Sequence, residues 1–240
     1  MKILSIGNSF SQDAQRYLHD VFAASGVSVK NVNLYIGGCS LERHYRNMLA
    51  EDKAYSLEVC GHSTGFSVSL KEALLSDFFD VITLQQVSHE APFGHTFDPY
   101  LPALAEYVRR LCPRAKLYLH ETWAYEADSA RLASLRFGSP EEMLDKVRTS
   151  LQAAAKEIDA DGIIPSGEAM GALMAAGKRP HRDTFHASLG LGRYTLALTW
   201  LATLTEASPL GNGFRVFDEP VTEEECALAQ QIAAEAVFPL

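Results

Sequence analysis

The chain has 240 residues, of which 47% are hydrophobic, a length and composition typical of a globular protein with one α/β domain over residues 1–240. The 30 Asp and Glu residues outnumber the 21 Lys and Arg residues and give a net charge of −9, which argues against nucleic acid or an anionic membrane as the main partner. No apolar run approaches the roughly 20 residues that span a bilayer, and no signal-peptide segment follows Lys2, so we expect a cytoplasmic protein.

Strands and helices are predicted to alternate along the chain. The predicted strands are ILSI at 3–6, VSVKNVNLYI at 27–36, FDVITLQ at 79–85, KLYLHET at 116–122 and DGIIPSG at 161–167. The predicted helices cover 11–26, 40–52, 98–112, 140–158, 188–206 and 222–237. This alternation favours a mostly parallel sheet with helices on both faces.

One stretch interrupts the alternation, because AYSLEVCGHSTGFSVSL at 54–70 has two alternating runs around a Gly-bounded turn. The pattern predicts an antiparallel β-hairpin inserted around residues 55–70. Its GHSTG segment at 61–65 also matches G-x-S-x-G, the nucleophile elbow of α/β-hydrolases, with Ser63 as the nucleophile. An elbow leads from a strand into a helix, whereas a strand-like segment follows Gly65, so a hairpin turn is favoured.

The loops that follow the predicted strands carry polar side chains, and the carboxyl ends of strands are where a parallel sheet places its reactive groups. Ser9 follows the first strand, and Asp183 and His186 precede a long apolar helix. These three residues supply the nucleophile, the orienting carboxylate and the general base of a serine hydrolase. Three further strand-end residues are candidates for lining a pocket: His89, Glu121 and Trp123.

Two other interpretations of these residues remain open. Ser9 follows a glycine at the start of a helix, a position where serine is common simply as a turn residue or N-cap. His181, Asp183 and His186 form an HxDxxH pattern that would suit a divalent cation. No second ligand cluster accompanies this pattern, so no metal site is predicted.

Short blocks in the chain resemble those of the SGNH (GDSL-type) hydrolases, and more narrowly a divergent SGNH-like subgroup that opens with GNSF. IGNSFS at 6–11 resembles the first block, with Asn8 where the family usually has Asp. GGCS at 37–40 resembles the second block, and DTFHAS at 183–188 resembles the final DxxH block. The resemblance implies a single-domain, flavodoxin-like, three-layer α/β/α sandwich with a mostly parallel central sheet.

The resemblance also implies where the oxyanion of the reaction would be bound. The second-block glycine, here Gly38, would offer its backbone N–H. The third block usually reads GxND and supplies an Asn side chain, whereas this chain has LQQVSHE at 84–90. Gln85 or Gln86 carries an amide of the same type and is expected to take that role.

The function implied by the resemblance is a serine esterase with a Ser9–His186–Asp183 triad and no metal or organic cofactor. The expected partner is a small ester, most often an acetylated carbohydrate, although lipases, thioesterases and acyltransferases share the blocks. The acidic charge favours a neutral sugar ester over a polyanionic one. A catalytically silent binding domain of the same fold is the alternative, because the third-block Asn is replaced.

Overall fold

Seven strands form one sheet in a computed structural model that describes residues 1–238. The strands are β1 (Lys2–Gly7), β2 (Lys30–Tyr35), β3 (Tyr55–Val59), β4 (His62–Val68), β5 (Val81–Leu84), β6 (Lys116–His120) and β7 (Gly162–Ile164). Their order in the sheet is β4-β3-β2-β1-β5-β6-β7. The strands β2, β1, β5, β6 and β7 are parallel, and β3 is antiparallel to both of its neighbours.

Helices cover both faces of the sheet. They are α1 (Ser9–Gln15), α2 (Leu18–Ala24), α3 (Leu41–Ala50), α4 (Leu70–Leu74), α5 (Tyr100–Leu111), α6 (Ala130–Ser134), α7 (Pro140–Glu157), α8 (Ser166–Ala175), α9 (Leu191–Thr205) and α10 (Glu223–Val237). The core on one face includes α1, α2, α8, α9 and α10, and the core on the other includes α3, α4, α5 and the second half of α7. Within residues 1–238, no helix is long and apolar enough to cross a bilayer.

The order of the strands fixes where a site can form. The chain passes from β1 outward to β2 on one side, and it returns to place β5 against the other side of β1. The loops that follow β1 and β5 therefore separate toward opposite faces and leave a crevice at the carboxyl end of the sheet. Ser9 lies directly after β1, at this crevice.

The architecture confirms the predicted fold, and three local differences have physical causes. The first predicted helix is two helices, divided at Arg16 and Tyr17. Tyr17 is buried and its hydroxyl donates to the backbone oxygen of Leu189, a contact that no local pattern reveals. The predicted strand at 161–167 ends at Ile164, because Ser166 begins α8; the sequence pattern predicts neither α8 nor the five-residue helices α4 and α6. Helices this short depend on tertiary packing more than on local propensity.

The predicted hairpin is present as β3 and β4, with its turn at Cys60 and Gly61. Both residues have positive φ, 49° and 76°, and Val59 pairs with His62 across the turn, as in the tight turns that match strand twist. Ser63 lies inside β4 and is exposed, and the strand continues for five residues beyond it, to Val68. The alternative in which Ser63 is the nucleophile of an α/β-hydrolase elbow is therefore wrong.

The two glycines of GHSTG provide a test of this hairpin, because both have φ +76° but only one is crowded. A Cβ on Gly61 would lie 2.2 Å from the backbone oxygen of Arg16, whereas one on Gly65 would meet nothing within 4 Å. We expect Gly65→Ala to lower the free energy of unfolding by about 1–2 kcal/mol through its left-handed backbone. Gly61→Ala should cost at least about 1 kcal/mol more, because backbone must also move. Urea unfolding measures both, and equal losses would contradict the close approach of the turn to α1.

Candidate active site

The turn after β1 separates the helix cap from the candidate nucleophile. Asn8 is the N-cap of α1, and its Oδ1 accepts the backbone N–H of Phe10 at 3.0 Å. Its Nδ2 donates to the backbone oxygen of Cys39 at 3.0 Å, which ties the turn to the loop after β2. Ser9 is the first residue of the helix and does not cap it, so its hydroxyl is left for another partner.

That partner is His186, which also contacts Asp183, the third residue expected at the site. The Nε2 of His186 lies 2.9 Å from Oγ of Ser9, and its Nδ1 lies 2.7 Å from Oδ2 of Asp183. The backbone N–H of His186 also donates to Oδ1 of Asp183 at 2.8 Å. The structure thus joins all three sequence-predicted residues in one hydrogen-bonded chain, although Ser9 and His186 are 177 positions apart.

The electrostatics of this chain favour an ionised carboxylate on Asp183. Partial burial raises the pKa of Asp183, but the hydrogen bonds and charge of His186 outweigh burial and leave the pKa below its ordinary value. An ionised Asp183 accepts a hydrogen bond from the Nδ1–H of His186, which leaves Nε2 of His186 as the acceptor for the Ser9 hydroxyl. The arrangement can therefore remove the proton of Ser9.

Two contacts hold the loop of Asp183 and His186 against α1. The indole Nε1 of Trp123 donates to the backbone oxygen of Phe185 at 2.7 Å, and the indole stacks on Phe10 with ring centroids 3.9 Å apart. Arg182 donates through Nη1 to both carboxylate oxygens of Asp13, at 3.0 and 2.9 Å. Asp13 was not identified from the sequence. Its position one helical turn after Ser9 is the only local signal that could have indicated it.

The structure corrects the expectation for the two glutamines. The Nε2 of Gln85 donates to Oδ1 of Asn8 at 2.8 Å, and the Nε2 of Gln86 donates to the backbone oxygen of Thr96 at 2.9 Å. The Oε1 of Gln86 accepts the backbone N–H of Leu41 at 2.9 Å. Both side chains are buried and neither lines the cavity at Ser9. Neither amide is placed to bind an oxyanion at Ser9, because both side chains are held by structural partners away from the cavity.

Gln85 belongs instead to a buried polar chain beneath the nucleophile. Its Oε1 lies 2.8 Å from Nδ1 of His120, and Nε2 of His120 lies 2.9 Å from Oγ of Ser166. Burial lowers the pKa of His120 to about 3, so the imidazole is neutral and needs a hydrogen-bond acceptor on only one of its nitrogens. The chain from His120 through Gln85 to Asn8 supports the turn that presents Ser9.

A cavity of about 330 Å³ opens at Ser9 and is called the Ser9 cavity below. The ends of the strands contribute Ser9, Tyr35 and Gly38 to its lining, and the loop that carries Asp183 contributes Phe185 and His186. The loop after β5 adds His89, one of the three expected pocket residues. Sequence reasoning missed Tyr35, Phe185 and Arg131; only Tyr35, at the end of a strand, had a positional signal.

The other two expected pocket residues, Trp123 and Glu121, are buried behind the cavity. Trp123 is completely buried in the core. Glu121 is also buried, and one of its carboxylate oxygens accepts the backbone N–H of Glu168 in α8 at 3.1 Å. Burial and the neighbouring Glu168 raise the pKa of Glu121 to about 7. Both residues stabilise the layer behind the cavity and do not line it.

The alternative metal pattern does not converge in space. The Nδ1 of His181 lies 3.1 Å from Oε1 of Glu126, whereas Asp183 and His186 bind each other and Ser9. In the part of the chain that the structure describes, no group of three or more His, Cys, Asp or Glu side chains is arranged to hold a metal ion. His181 therefore belongs to one contact, with Glu126, and Asp183 and His186 belong to another, with Ser9.

Comparisons with known proteins give a family match over nearly the whole chain. A family model described as "Domain of unknown function (DUF4886)" matches residues 2–236. The chain is similar to the crystal structure of a DUF4886 family protein from Bacteroides uniformis, with 32% identity, a TM-score of 0.93, and coverage of 100% of this chain and 95% of that chain. A search of curated proteins finds no match.

More distant structures share the fold. One is a protein from Slackia heliotrinireducens suggested to be an SGNH hydrolase, with 22% identity, a TM-score of 0.60, and coverage of 85% of this chain and 98% of that chain. Another is the acetyl xylan esterase AlAXEase, with 15% identity, a TM-score of 0.56, and coverage of 85% of this chain and 100% of that chain. At these identities the similarity establishes the fold, which is the SGNH hydrolase fold predicted from the sequence.

The buried His120 should make stability depend on pH. In the unfolded chain a histidine takes up a proton near pH 6.5, at about its ordinary pKa, whereas folded His120 does so only near pH 3. Between these values the unfolded state binds more protons, so His120 stabilises the fold above pH 6.5 and this contribution is lost as the pH falls. We expect His120→Gln to flatten the decline by about 1.4 kcal/mol per pH unit at most.

Urea unfolding from pH 6.5 to 4.5 measures this difference in slope. Other groups, including Glu121 with its raised pKa, are present in both proteins and do not enter the difference. His95→Gln is the matched control, since His95 is exposed and its replacement should leave the slope unchanged. Identical slopes for wild type and His120→Gln would contradict a neutral, buried His120.

Proposed function

This chain belongs to the DUF4886 family, and from that premise and the geometry of its site we propose that it is a serine esterase with Ser9 as the nucleophile. The observation that carries the proposal is the hydrogen-bonded chain from Ser9 through His186 to Asp183, with separations of 2.9 and 2.7 Å. These are the distances at which a general base can take a proton from the nucleophile and be oriented by a carboxylate. The chain opens on a cavity, where an ester can reach Ser9.

The mechanism follows from the donors and acceptors of the triad. The Nε2 of His186 takes the proton of the Ser9 hydroxyl as Oγ attacks the ester carbonyl, and Asp183 stabilises the imidazolium that forms. The imidazolium then gives its proton to the departing alkoxide, which leaves an acyl group on Ser9. Water attacks the acyl-enzyme with His186 again as the base, and the carboxylic acid and free Ser9 are released.

Backbone groups are the proposed donors to the oxyanion. The backbone N–H groups of Ser9 and Gly38 have no hydrogen-bond partner among residues 1–238, and both residues line the cavity. Gly38 has φ +60°, a conformation that glycine adopts without strain. Since the amides of Gln85 and Gln86 are occupied, the backbone takes the role that the third-block Asn side chain has in the family resembled.

The acyl group of the proposed substrate is small, most readily acetyl. The cavity of about 330 Å³ is at the small end for a ligand site, and the chain shares its fold with an acetyl xylan esterase. A catalytically silent binding domain would keep the same cavity without reaction at Ser9. The formed Ser9–His186 hydrogen bond favours the esterase.

Removing any member of the triad should remove most of the activity. We expect Ser9→Ala and His186→Ala each to lower kcat for p-nitrophenyl acetate by roughly 10³-fold or more, with Asp183→Asn also severe, because the three groups act as a unit. Ser63→Ala is the matched control, because Ser63 is an exposed serine of β4 and its loss should leave the rate unchanged. Folding is checked for each variant by circular dichroism.

A fluorophosphonate probe distinguishes an active serine from a silent site. Peptide mapping should find the label on Ser9 in the wild type and none in Ser9→Ala or His186→Ala. Failure of the folded wild-type protein to react, together with no hydrolysis of p-nitrophenyl acetate, would support the silent binding domain and refute the esterase.

Chelation tests whether Ser9 or a metal-bound water is the nucleophile. If His186 activates Ser9 directly, hydrolysis should persist after exhaustive treatment with EDTA, and Ser9→Ala should be inactive before and after it. In a metal-dependent hydrolase the reverse holds: chelation abolishes turnover, added Zn²⁺ restores it, and Ser9→Ala retains activity. Side-by-side rates for the two proteins with and without EDTA decide between the mechanisms.

A further inference from the structure

The Ser9 cavity is basic, although the protein as a whole is acidic. Its lining includes two arginines, Arg131 and Arg182, and the histidines His89 and His186, and within residues 1–238 no Asp or Glu lines it. The whole chain, in contrast, has 30 acidic and 21 basic residues. A cavity of opposite sign to its protein selects for ligands through local charge.

Of the two arginines that line the cavity, Arg131 is the one with no charged partner among the described residues. Its guanidinium lies over the ring of Phe185, with Cζ 4.1 Å from the ring centroid. Phe185 in turn contacts His186, with ring centroids 3.9 Å apart. Among the described residues, no carboxylate forms a salt bridge with Arg131, and the side chain is exposed. Its five N–H donors are therefore free next to the catalytic imidazole.

The nearby acidic groups are already paired. Asp13 accepts from Arg182 and Arg193, and Asp183 accepts from His186. Glu126 and Asp128, on the segment before α6, both accept from Arg179. These pairings leave no nearby carboxylate to neutralise the positive charge of Arg131.

Arg182 adds to the basic character of the cavity wall. All of its side-chain hydrogen bonds within residues 1–238 are made by Nη1, to Asp13 and to the backbone oxygen of Ala187. Its Nε and Nη2 have no partner there. Asp13 also binds Arg193, which in turn binds Asp218, a carboxylate that Arg16 shares. Three guanidinium groups thus share two carboxylates, and the wall retains positive charge. Glu90, the neighbour of His89 in the chain, lies 3.9 Å from the His89 imidazole and forms no salt bridge with Arg131 or Arg182.

We propose that the substrate is an ester whose alcohol part carries a carboxylate, and that Arg131 binds this carboxylate while Ser9 attacks the acyl group. This inference rests on the proposed esterase function and replaces the sequence-based preference for a neutral sugar ester. A planar guanidinium held against an aromatic ring is suited to pair with a carboxylate in two parallel hydrogen bonds. The stacking on Phe185 limits the motion of the side chain and so lowers the entropy lost on binding. Arg131 is thus a specificity-determining residue.

A pair of acetate esters that differ in one charge tests the proposal. 4-Acetoxybenzoate carries the carboxylate, and methyl 4-acetoxybenzoate is its neutral counterpart; each rate is normalised to the hydroxide-catalysed rate of the same ester. We expect wild type to prefer the carboxylate in kcat/KM by about tenfold at low salt, as for one charge-assisted interaction. Arg131→Gln should lose that preference, with the loss in kcat/KM falling on the carboxylate ester, because the neutral ester offers the guanidinium no anionic partner.

Two further variants sharpen the result. Arg131→Lys keeps the charge without the planar fork and should keep part of the preference. Arg114→Gln is the matched control, since Arg114 is also an exposed arginine over a phenylalanine ring, with Cζ 4.9 Å from the Phe78 centroid, in a region outside the cavity. It should behave as wild type, and added NaCl should weaken the wild-type preference.

The outcomes separate this inference from the esterase assignment. Equal normalised kcat/KM for the two esters in an enzyme that hydrolyses both would overturn the inference and leave the esterase standing. The same loss for both esters in Arg131→Gln would also overturn it. No hydrolysis of either ester, with no fluorophosphonate label on Ser9, would refute the esterase and the inference together.

Discussion

A buried carboxylate, Asp13, joins the helix that begins at Ser9 to the loop that carries Asp183 and His186. Asp13 is fully buried in α1, one turn after Ser9, and accepts from Arg182, the residue before Asp183, and from Arg193 in α9. A charge taken out of water is tolerated only when it is paired and fully hydrogen-bonded. The arrangement therefore requires both arginines to be in place, and it fixes the distance between Ser9 and the loop of Asp183 and His186.

A second buried network supports the same turn from below. Asn8 caps α1, binds the loop after β2 and accepts from Gln85, which in turn contacts His120. Such a network is favourable only when each member finds its partner, because an unpaired polar group in the core costs free energy. This explains how the segment after β5 can lack the usual Asn: its glutamines position the turn and the neighbouring loops, and backbone N–H groups are left to face the cavity.

Charge divides the molecule into two regions with different roles. The surface is acidic overall, which suits solubility, while Arg131 and Arg182 give the Ser9 cavity the opposite sign. The net charge of the chain is therefore a poor guide to the ligand of this cavity, since the sum over all residues is unrelated to the few that line one cavity. The same separation appears in the histidines: His120 is buried beneath the site, whereas His89 lies in its lining.

The sequence by itself determined the order of the strands, the hairpin, most of the longer helices and the loops that carry Ser9, Asp183 and His186, because these depend on periodicity and turn residues that are local in the chain. The contact of Asp183 with His186 is also local, since the two are three residues apart. The tertiary structure decided the rest: that Asn8 and not Ser9 caps α1, that Gln85 is committed to Asn8, and that Arg131 faces the cavity unpaired. Each of these depends on which partner a polar side chain meets across the fold, and a buried polar group takes the partner that the packing brings to it, which neighbouring residues in the chain do not specify.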